Sequence, residues 1–370
     1  MGLFIERHGI SVNQHVDVSV LYVHADEELK KKKYDIVYSD DRLFEIRIYF
    51  RKSTLKPAFL ANLVNLWRFL MAHRLGFRLI RKERRKADLV HVHVLTRLGV
   101  IALINKIFNK TPYVITEHWT RYLPTTDTYH GALRKWFTRK VVNNAAAVMP
   151  VTANLRDAMI DNKLVNDNYV IIPNVVNIEM FHPDENRKPA DKKKLVHLSC
   201  FTDKQKNISG ILRVMKKLSE KRNDFRLTFI GDGEDFKEMK AISDKLGLTD
   251  DAVVFAGLKE NEELATMLRD ADLMIMFSNF ENLPVVILES YASGVPVVST
   301  RVGGIHEHLN ADLGKLTKPG DEDEFFDVLN GVLDNLDRYD RKKIRQYAEN
   351  NFGNDVIGES LHKVYKQVTS

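Results

Sequence analysis

Short aliphatic or β-branched runs alternate with longer amphipathic runs along the whole sequence. The short runs have strand length and the long ones have helical periodicity, a pattern typical of parallel sheets covered by helices. Strands are predicted in the first half at 17–23, 44–50, 88–94, 113–116, 146–151 and 169–172. In the second half they are predicted at 195–199, 226–230, 253–256, 273–277 and 296–300. We therefore expect an α/β protein.

A polar connection separates the two series of strands. A chain of 370 residues exceeds the usual size of one hydrophobic core, and the segment 183–194 is rich in Pro, Asp, Asn and Lys. We predict an amino-terminal domain over 1–174 and a carboxyl-terminal domain over 175–353. The last helix, over 354–370, is expected to return to the first domain.

The start of the chain departs from the pattern of a doubly wound domain. Such a domain opens on a central strand and a Gly-containing turn, but here Gly2 leads directly into a helical run over 4–12. The first strand of the amino-terminal domain is therefore missing from the predicted elements. Two alternatives stay open: further residues upstream, or an unfilled central position that leaves two strand edges unpaired.

Composition favours an intracellular protein without a structural metal. The sole cysteine, Cys200, excludes an intrachain disulfide and indicates a reducing compartment. The first ten residues lack the features of a secretory signal, and the apolar segment 59–80 is interrupted by Arg68, Arg74 and Arg78. We expect a cytoplasmic chain that does not cross a membrane.

The segment 273–307 carries the clearest chemistry, because it predicts a strand, a loop, a helix, a second strand and a Gly-Gly loop. Pro284 fits the first helical turn, which would leave the amides of Val285, Val286 and Ile287 as unpaired donors. Such donors, together with the helix dipole, form a site for phosphate.

Two carboxylates flank this helix start and can face one cleft. Glu281 lies in the loop and Glu289 on the helix, with seven residues between them. We interpret both as acceptors for hydroxyl groups, although an isolated helical Glu such as Glu289 is more often a solvated surface residue. Pro284 and the pair Gly303-Gly304 favour the functional interpretation.

The segment 278–307 is similar to the E-x7-E signature of glycosyltransferase family 4. Three further motifs follow the family's order: P-N-V-V-N at 173–177 resembles its P-N-G-V-D hinge, and F-I-G-D-G at 229–233 and V-F-A-G at 254–257 also match. The resemblance implies a GT-B fold, in which two Rossmann-like domains face each other across a cleft. It also implies a nucleoside diphosphate sugar donor, with UDP-sugar the default, transfer with retention, and neither a metal nor a cofactor.

The resemblance assigns roles to individual residues. Glu289 would accept the ribose hydroxyls, Glu281 would lie near the sugar hydroxyls, and Lys206, or its neighbour Lys204, would contact the phosphates. Catalytic roles are predicted for His118, Glu281 and Lys206. The predicted donor-binding residues are Glu289, Lys204, Gly257, Leu258, Asn282, Leu283, Pro284, Val285 and Val286. In place of the Gly-Arg that many relatives carry before the lysine stands Cys200-Phe201, so electrostatic stabilisation of the phosphates is either weaker or supplied from elsewhere.

In the first domain the motif Y-V-I-T-E-H-W at 113–119 ends a strand with Glu117 and His118. The family commonly has a His at this strand end, near the donor sugar, although a single His is more often structural. By the same resemblance Gly2 and Glu117 would belong to an acceptor or diphosphate loop. His91 and His93 alternate along a strand and are interpreted as structural.

The basic segment 42–86 contains thirteen Lys and Arg against two Glu, around the amphipathic run 59–80. A basic amphipathic helix is typical of proteins that dock on anionic membranes, which would suit a lipid-linked acceptor on the inner membrane face. The alternative is that the apolar face packs on the sheet and the cations are solvated. Nucleic-acid binding is not expected, since no recognition module accompanies the charge.

The sequence thus favours a glycosyltransferase that transfers a sugar to a glycan or a lipid-linked acceptor, in cell-surface polysaccharide or glycolipid synthesis. A nucleotide-sugar-binding protein without turnover, or a GT-B epimerase, are the alternatives. A dehydrogenase is not supported, because no G-x-G-x-x-G follows an early strand.

Overall fold

The computed structural model of the protein describes residues 3–29, 32–95, 97–187 and 190–370. Helices flank β-sheets in both halves of the chain, which confirms the predicted α/β class. None of the helices in these ranges combines the length and the apolar character that crossing a bilayer requires.

The amino-terminal half contains two three-stranded sheets. The strands are β1 (Ser19–Asp26), β2 (Tyr34–Ser39), β3 (Phe44–Arg51), β4 (Val90–His93), β5 (Tyr113–Glu117) and β6 (Ala147–Pro150). The helices are α1 (Leu3–Asn13), α2 (Ala58–Glu83), α3 (Arg97–Asn109), α4 (Ala132–Asn144) and α5 (Ala153–Asp161). In the first sheet β3 lies between β1, to which it is parallel, and β2, to which it is antiparallel. The second sheet is parallel, in the order β4-β5-β6.

No strand precedes β1 in the described residues, as the sequence predicted. Within the same ranges β1 and β4 are edge strands, so the two sheets are not joined into one. Helix α1 contacts both of them. Gly9 packs against Leu43, which precedes β3, and the ring of Phe4 lies 4.3 Å from that of His118, which follows β5.

The prediction of a strand at 169–172 is wrong, because only an isolated bridge links Tyr169 to Val148. The segment does run beside β6: the amide of Val170 donates to the carbonyl of Val148, and that of Ile172 to Pro150. Pro150 has no N–H with which to donate in return, so the ladder stops there. The edge strand β2 was not predicted from the sequence, nor was the edge strand Gly314–Thr317 of the second half.

The carboxyl-terminal half is built on one parallel six-stranded sheet in the order β12-β11-β10-β7-β8-β9. Its strands are β7 (Lys193–Leu198), β8 (Phe225–Ile230), β9 (Val253–Gly257), β10 (Leu273–Met276), β11 (Val297–Thr300) and β12 (Gly314–Thr317). Its helices are α6 (Asp203–Lys206), α7 (Ile208–Ser219), α8 (Phe236–Lys245), α9 (Asn261–Arg269), α10 (Val285–Ala292) and α11 (Glu322–Leu333). Strands β7, β8 and β9 follow one another toward one edge of the sheet, and β10, β11 and β12 follow one another toward the other edge. This is the strand order of a Rossmann-like domain.

Helix α7 illustrates how the sequence places a helix against the sheet of this domain. Its buried side chains recur at helical spacing and pack on the sheet, whereas the cations of its last turn stay outside. The buried residues are Ile208, Gly210, Ile211, Leu212, Val214, Met215 and Leu218. Strands β10 and β11 are buried along their whole length, as expected where helices cover both faces of a parallel sheet.

The last two helices, α12 (Arg341–Phe352) and α13 (Asn354–Thr369), lead from the second domain to the first. Residues of α13, among them Ile357 and Leu361, share a buried cluster with Val12 of α1 and Val114 of β5. Gly358 fits this contact because a β-carbon there would lie 2.2 Å from the backbone oxygen of Ser11. The chain end is therefore packed against the amino-terminal domain.

Candidate active site

Helix α10 and the loop before it form the centre of the candidate site. Pro284 is the residue just before the helix, with φ of −64° and ψ of 124°, rather than a residue of its first turn. The amide of Ile287 donates to the carbonyl of Pro284, so the expectation that it is a free donor is wrong. The amides of Val285 and Val286 precede that of Ile287, which makes the first hydrogen bond of the helix, so they have no acceptor within the helix. They are the amides available to an anion.

Two glycines let the loop after β11 approach this segment. A β-carbon on Gly303 would lie 2.0 Å from the backbone oxygen of Glu281, and one on Gly304 would lie 2.2 Å from the Thr152 side chain. Gly303 also has a φ of 53°. Because any larger residue would push the loop carrying Glu281 away, this Gly-Gly pair sets the shape of the site.

Both predicted acidic residues are buried and paired with a cation. Lys206 Nζ lies 2.5 Å from Glu281 Oε1, and Arg7 Nη2 lies 2.9 Å from Glu289 Oε1. Burial raises the pKa of Glu289, and the Arg7 guanidinium opposes that rise. The pair with Lys206 links two parts of the second domain, whereas the pair with Arg7 connects the two domains.

The two candidate lysines occupy different environments. Lys206 is buried against Glu281, but Lys204 is exposed. The ring of Phe201 is fully buried and packs against the rings of Phe229 and Phe236. The position at which relatives carry an arginine therefore points into the core, and no charge enters the site from there.

The role of Arg7 was not predicted, because the helical run 4–12 does not indicate which distant group its sole arginine contacts. Its guanidinium also donates to the carbonyl of Val175 at 3.5 Å, and it lies 5.9 Å from the centre of the Phe181 ring. The first turns of α1 thus carry a buried positive charge to Glu289, at the place where the second domain begins.

Asn282 and Leu283 hold the loop against the first domain. The amide of Asn282 donates to the backbone oxygen of His118 at 2.9 Å, and its oxygen accepts from Thr152 Oγ1 at 2.8 Å. The side chain of Asn174 donates to the backbone oxygen of Leu283 at 3.1 Å. These two predicted donor-binding residues are therefore in contact with the other domain.

A further interdomain contact involves the start of α5. The carboxylate of Glu307 accepts hydrogen bonds from the amides of Ala153 and Asn154, at 2.8 and 2.7 Å. An acidic side chain at a helix start is stabilised by the helix dipole as well as by these bonds. Glu307 ends the sequence segment that resembles the family signature, but the motif alone did not reveal this role.

The carboxylate of Glu117 is hydrogen-bonded to backbone amides. Its carboxylate accepts from the amides of Leu95, His118 and Trp119, each at 2.9 Å, and its side chain is buried. Burial raises its pKa, and these hydrogen bonds oppose the rise. The carboxylate fixes the loop that carries His118 instead of pointing into open space. Gly2, which was predicted beside it, lies outside the described residues.

His118 lies at the carboxyl end of β5 among other aromatic rings. Its Nδ1 donates to Asn174 Oδ1 at 2.9 Å, and its Nε2 lies 3.2 Å from His93 Nδ1. Burial lowers its pKa well below the usual value, with His8 adding to the effect. The imidazole is therefore neutral, and its orientation is set by the hinge residue Asn174.

Gly257 and Leu258, which were predicted to bind the donor, lie at the end of β9 and just beyond it. Gly257 has a φ of 70° and accepts a hydrogen bond from the amide of Gly231 at 2.9 Å. Leu258, the next residue, is 61% exposed. The chain thus turns outward at this point and leaves the apolar Leu258 side chain exposed.

Two family profiles match the chain. "Glycosyl transferases group 1" matches residues 179–351, and "Glycosyl transferase 4-like domain" matches residues 12–175. TuaC of Bacillus subtilis (strain 168), a glycosyltransferase ascribed to teichuronic acid biosynthesis, is 25% identical over 233 residues, which are 60% of this chain and 57% of TuaC. The alignment therefore spans little more than half of that relative.

Two solved structures share the fold. Sucrose-phosphate synthase from Thermosynechococcus elongatus superposes with a TM-score of 0.78 at 16% identity, covering 99% of this chain and 92% of that one. Anabaena Alr3699/HepE in complex with UDP superposes with a TM-score of 0.71 at 16% identity, covering 95% and 100%. With its two Rossmann-like domains and the two matching profiles, the chain belongs to the family 4 glycosyltransferases of the GT-B fold.

Proposed function

We propose that the protein transfers a sugar, with retention of configuration, from a nucleoside diphosphate sugar to a glycan or a lipid-linked acceptor. The observation that carries the proposal is the start of α10, where two buried carboxylates and two cations surround a pair of free amides. Amides at a helix start and nearby cations bind phosphate, and buried carboxylates accept hydroxyl groups. The relative with bound UDP supports a UDP-sugar as the donor.

In this proposal the two ion pairs are the resting state of the donor site. Lys206 and Arg7 are each held by one carboxylate, and a diphosphate would attract both cations. Glu289 would then be free to accept the ribose hydroxyls, and Glu281 those of the sugar. Arg7 thereby supplies the second phosphate cation that the sequence lacks at Phe201.

The chemical step requires stabilisation of the leaving diphosphate, which gains charge as the glycosidic bond breaks. Lys206, Arg7 and the amides of Val285 and Val286 are the groups assigned to it. His118 is assigned to the donor sugar, to which its neutral ring can offer a hydrogen bond. Neither a metal nor a cofactor is assigned to this step.

The test is donor turnover by the purified chain. We expect UDP to bind, UDP-sugar to release UDP in the presence of acceptor, and the product to keep the anomeric configuration of the donor by NMR. Glu289→Gln should weaken UDP binding, whereas Glu359→Gln, which breaks an exposed pair with Lys363, should not. Donor binding without any release of UDP would favour the alternative of a binding protein.

The acceptor side is assigned to the basic segment 42–86. The carboxyl-terminal half of α2 packs on the first sheet, where Ala72, Gly76 and Ile80 are buried. Its amino-terminal half instead exposes large apolar side chains, namely Phe59, Leu60, Leu63, Leu66 and Trp67. Exposed apolar residues beside basic ones suit the surface of an anionic membrane. We therefore propose that this half of α2 docks on the inner membrane face.

Liposome co-sedimentation tests this docking. The protein should prefer anionic over neutral vesicles, and the preference should be lost when Leu63 and Trp67 are both changed to Ser. The matched control changes Leu133 and Trp136 of α4, which are equally exposed, to Ser. Equal binding to both vesicle types would overturn the docking proposal and leave the donor site untouched.

A further inference from the structure

Four histidines lie together at the carboxyl ends of β4 and β5, beneath helix α1. Nitrogen atoms of His8, His93 and His118 lie within 4.8 Å of one another. His91 packs on His93 with ring centres 4.2 Å apart. The chain segments that bring them together, 3–13, 90–93 and 113–118, are far apart in sequence, so this cluster exists only in the folded protein.

The hydrogen bonds fix which nitrogen of each ring carries a lone pair. His8 Nε2 lies 3.1 Å from the backbone oxygen of Pro173, which can only accept, so Nε2 carries the proton and Nδ1 the lone pair. His118 Nδ1 donates to Asn174 Oδ1 in the same way, which leaves the lone pair on Nε2. His93 Nδ1 then donates to that Nε2, at 3.2 Å.

The lone pair of His8 has no partner in the described part of the chain. Its Nδ1 is completely buried and makes no hydrogen bond to any of the described residues, although buried polar atoms are nearly always paired. His91 differs in this respect, because Nδ1 contacts the Tyr365 hydroxyl and Nε2 contacts the Thr116 hydroxyl. The unpartnered nitrogen therefore belongs to the group of three and not to the fourth ring.

We propose that His8, His93 and His118 bind a divalent transition-metal ion of the Zn²⁺ class. Neutral imidazoles are ligands that such ions prefer, and three of them leave one position for water or substrate. Metal-binding histidines usually donate their other N–H to a carbonyl or carboxylate, which fixes the ring. Pro173 and Asn174 hold His8 and His118 in this manner.

Binding requires one local rearrangement. The ion would take the lone pair of His118 Nε2, so the hydrogen bond from His93 has to be released. His93 can then present a lone pair by moving its own proton from Nδ1 to Nε2, with no net gain or loss of protons. The packing of His91 against the His93 ring keeps that ring close to the other two.

The site has a consequence for transfer that rests on the proposed function. If His118 serves the donor sugar, an ion on its Nε2 removes that nitrogen from the reaction. Zn²⁺ should therefore lower the rate of sugar transfer, and a chelator should restore it. UDP binding at α10 is expected to persist, since none of its assigned residues is a ligand.

Metal binding is measured on the full chain after treatment with a chelator, without donor. We expect about one ion per chain by elemental analysis, and Co²⁺ should give the visible absorption of a four-coordinate site. Changing His8, His93 or His118 singly to Gln should weaken Zn²⁺ binding by more than about tenfold in calorimetry. Having three variants keeps the test decisive if one of them fails to fold.

Two histidines serve as controls. His197 is also fully buried, with both nitrogens in hydrogen bonds, and His306 is exposed. Gln at either position should leave Zn²⁺ affinity unchanged. The proposal is overturned if the wild-type chain takes up no Zn²⁺ at micromolar concentration, or if the ligand variants bind as the controls do. Zn²⁺ binding without loss of transfer would overturn only the link to His118 in catalysis.

Discussion

The ion pair between Arg7 and Glu289 offers the most direct test of the site, through the substitution Arg7→Met. Methionine keeps the length and apolar stem of the side chain but removes the charge. Arg7 is 11% exposed and Glu289 5% exposed, so the remaining carboxylate would be buried without a cation. Removing one partner of a buried pair costs about 3–5 kcal/mol of folding free energy.

The cost should depend on pH with a definite sign. Burial already raises the pKa of Glu289 in the folded protein, and loss of Arg7 raises it further. The folded state then binds the proton more tightly than the unfolded state, so stability falls as pH rises above the unfolded value of about 4.3. The slope is at most about 1.4 kcal/mol per pH unit, up to the folded pKa. The gap between Arg7→Met and wild type should therefore widen from pH 5 to pH 8.

Calorimetric unfolding at several pH values measures this effect. The control is Arg213→Met, which removes a cation from an exposed pair with Glu322 and should cost about 0–1 kcal/mol at every pH. The double variant Arg7→Met with Glu289→Gln should lose less than the sum of the single variants, because neither charge is then left buried. If Arg7→Met behaves like Arg213→Met, with no pH dependence, the pair does not stabilise the fold as argued.

The same variant separates a structural role of Arg7 from a role in donor binding. A hydrogen bond from a charged donor to phosphate contributes about 1.5–3 kcal/mol, so UDP affinity should fall by about 10- to 150-fold. Titration calorimetry below the unfolding temperature measures this directly. Arg7→Lys should recover part of the affinity, whereas unchanged affinity in Arg7→Met would remove Arg7 from the donor site.

Three further predictions concern the same site. Glu289→Ala should mainly weaken donor binding, whereas Lys206→Ala should mainly lower turnover, by about 10²–10³-fold; steady-state kinetics separates the two, and equal small effects would contradict the roles. His118→Ala should slow transfer by about 10²-fold with the melting temperature nearly unchanged, and a collapse of that temperature would show a structural role instead. Gly303→Ala should destabilise the protein by at least about 1–3 kcal/mol, because the added carbon meets the backbone and φ is positive there. Gly331→Ala, in helix α11, should instead stabilise the protein by about 0.4–1 kcal/mol, because no atom lies within 4 Å of the added carbon. Thermal unfolding of the two alanine variants compares them directly.

Local pattern was sufficient for most of the carboxyl-terminal domain. Its predicted strands at 195–199, 226–230 and 253–256 match β7, β8 and β9 to within two residues at either end. These strands are rich in apolar residues, most of which are buried because helices cover the sheet. Strands β2 and β12 were missed because β2 leaves Val37 and Tyr38 exposed and β12 is only four residues long, so neither gives a clear apolar pattern.

Contacts between distant segments could not be predicted in this way. Periodicity placed Arg7 on a helix, but its contact with Glu289 depends on how two domains pack, 282 positions apart. The histidine cluster is similar, because alternation correctly placed His91 and His93 on one strand yet did not show that α1 would bring His8 to them. For Glu117 the motif predicted a residue of an acceptor or diphosphate loop. In the structure its carboxylate accepts hydrogen bonds from three backbone amides, a contact that depends on the folded loop and could not be predicted from the motif.

Lys206 and Arg7, the two cations of the proposed donor site, come from different domains, and this would affect how the cleft responds to a donor. Lys206 belongs to the same domain as Glu281, so this ion pair does not depend on the position of the first domain. Arg7 reaches Glu289 only when the domains are together. A diphosphate bound at α10 would form an ion pair with Arg7 in place of Glu289. The direct contact between the two domains would then be replaced by a contact in which the phosphate lies between Arg7 and α10. Glu307 and Asn282 make interdomain contacts that are separate from this ion pair, so in the proposed mechanism they would hold the domains together while Glu289 is released for the ribose.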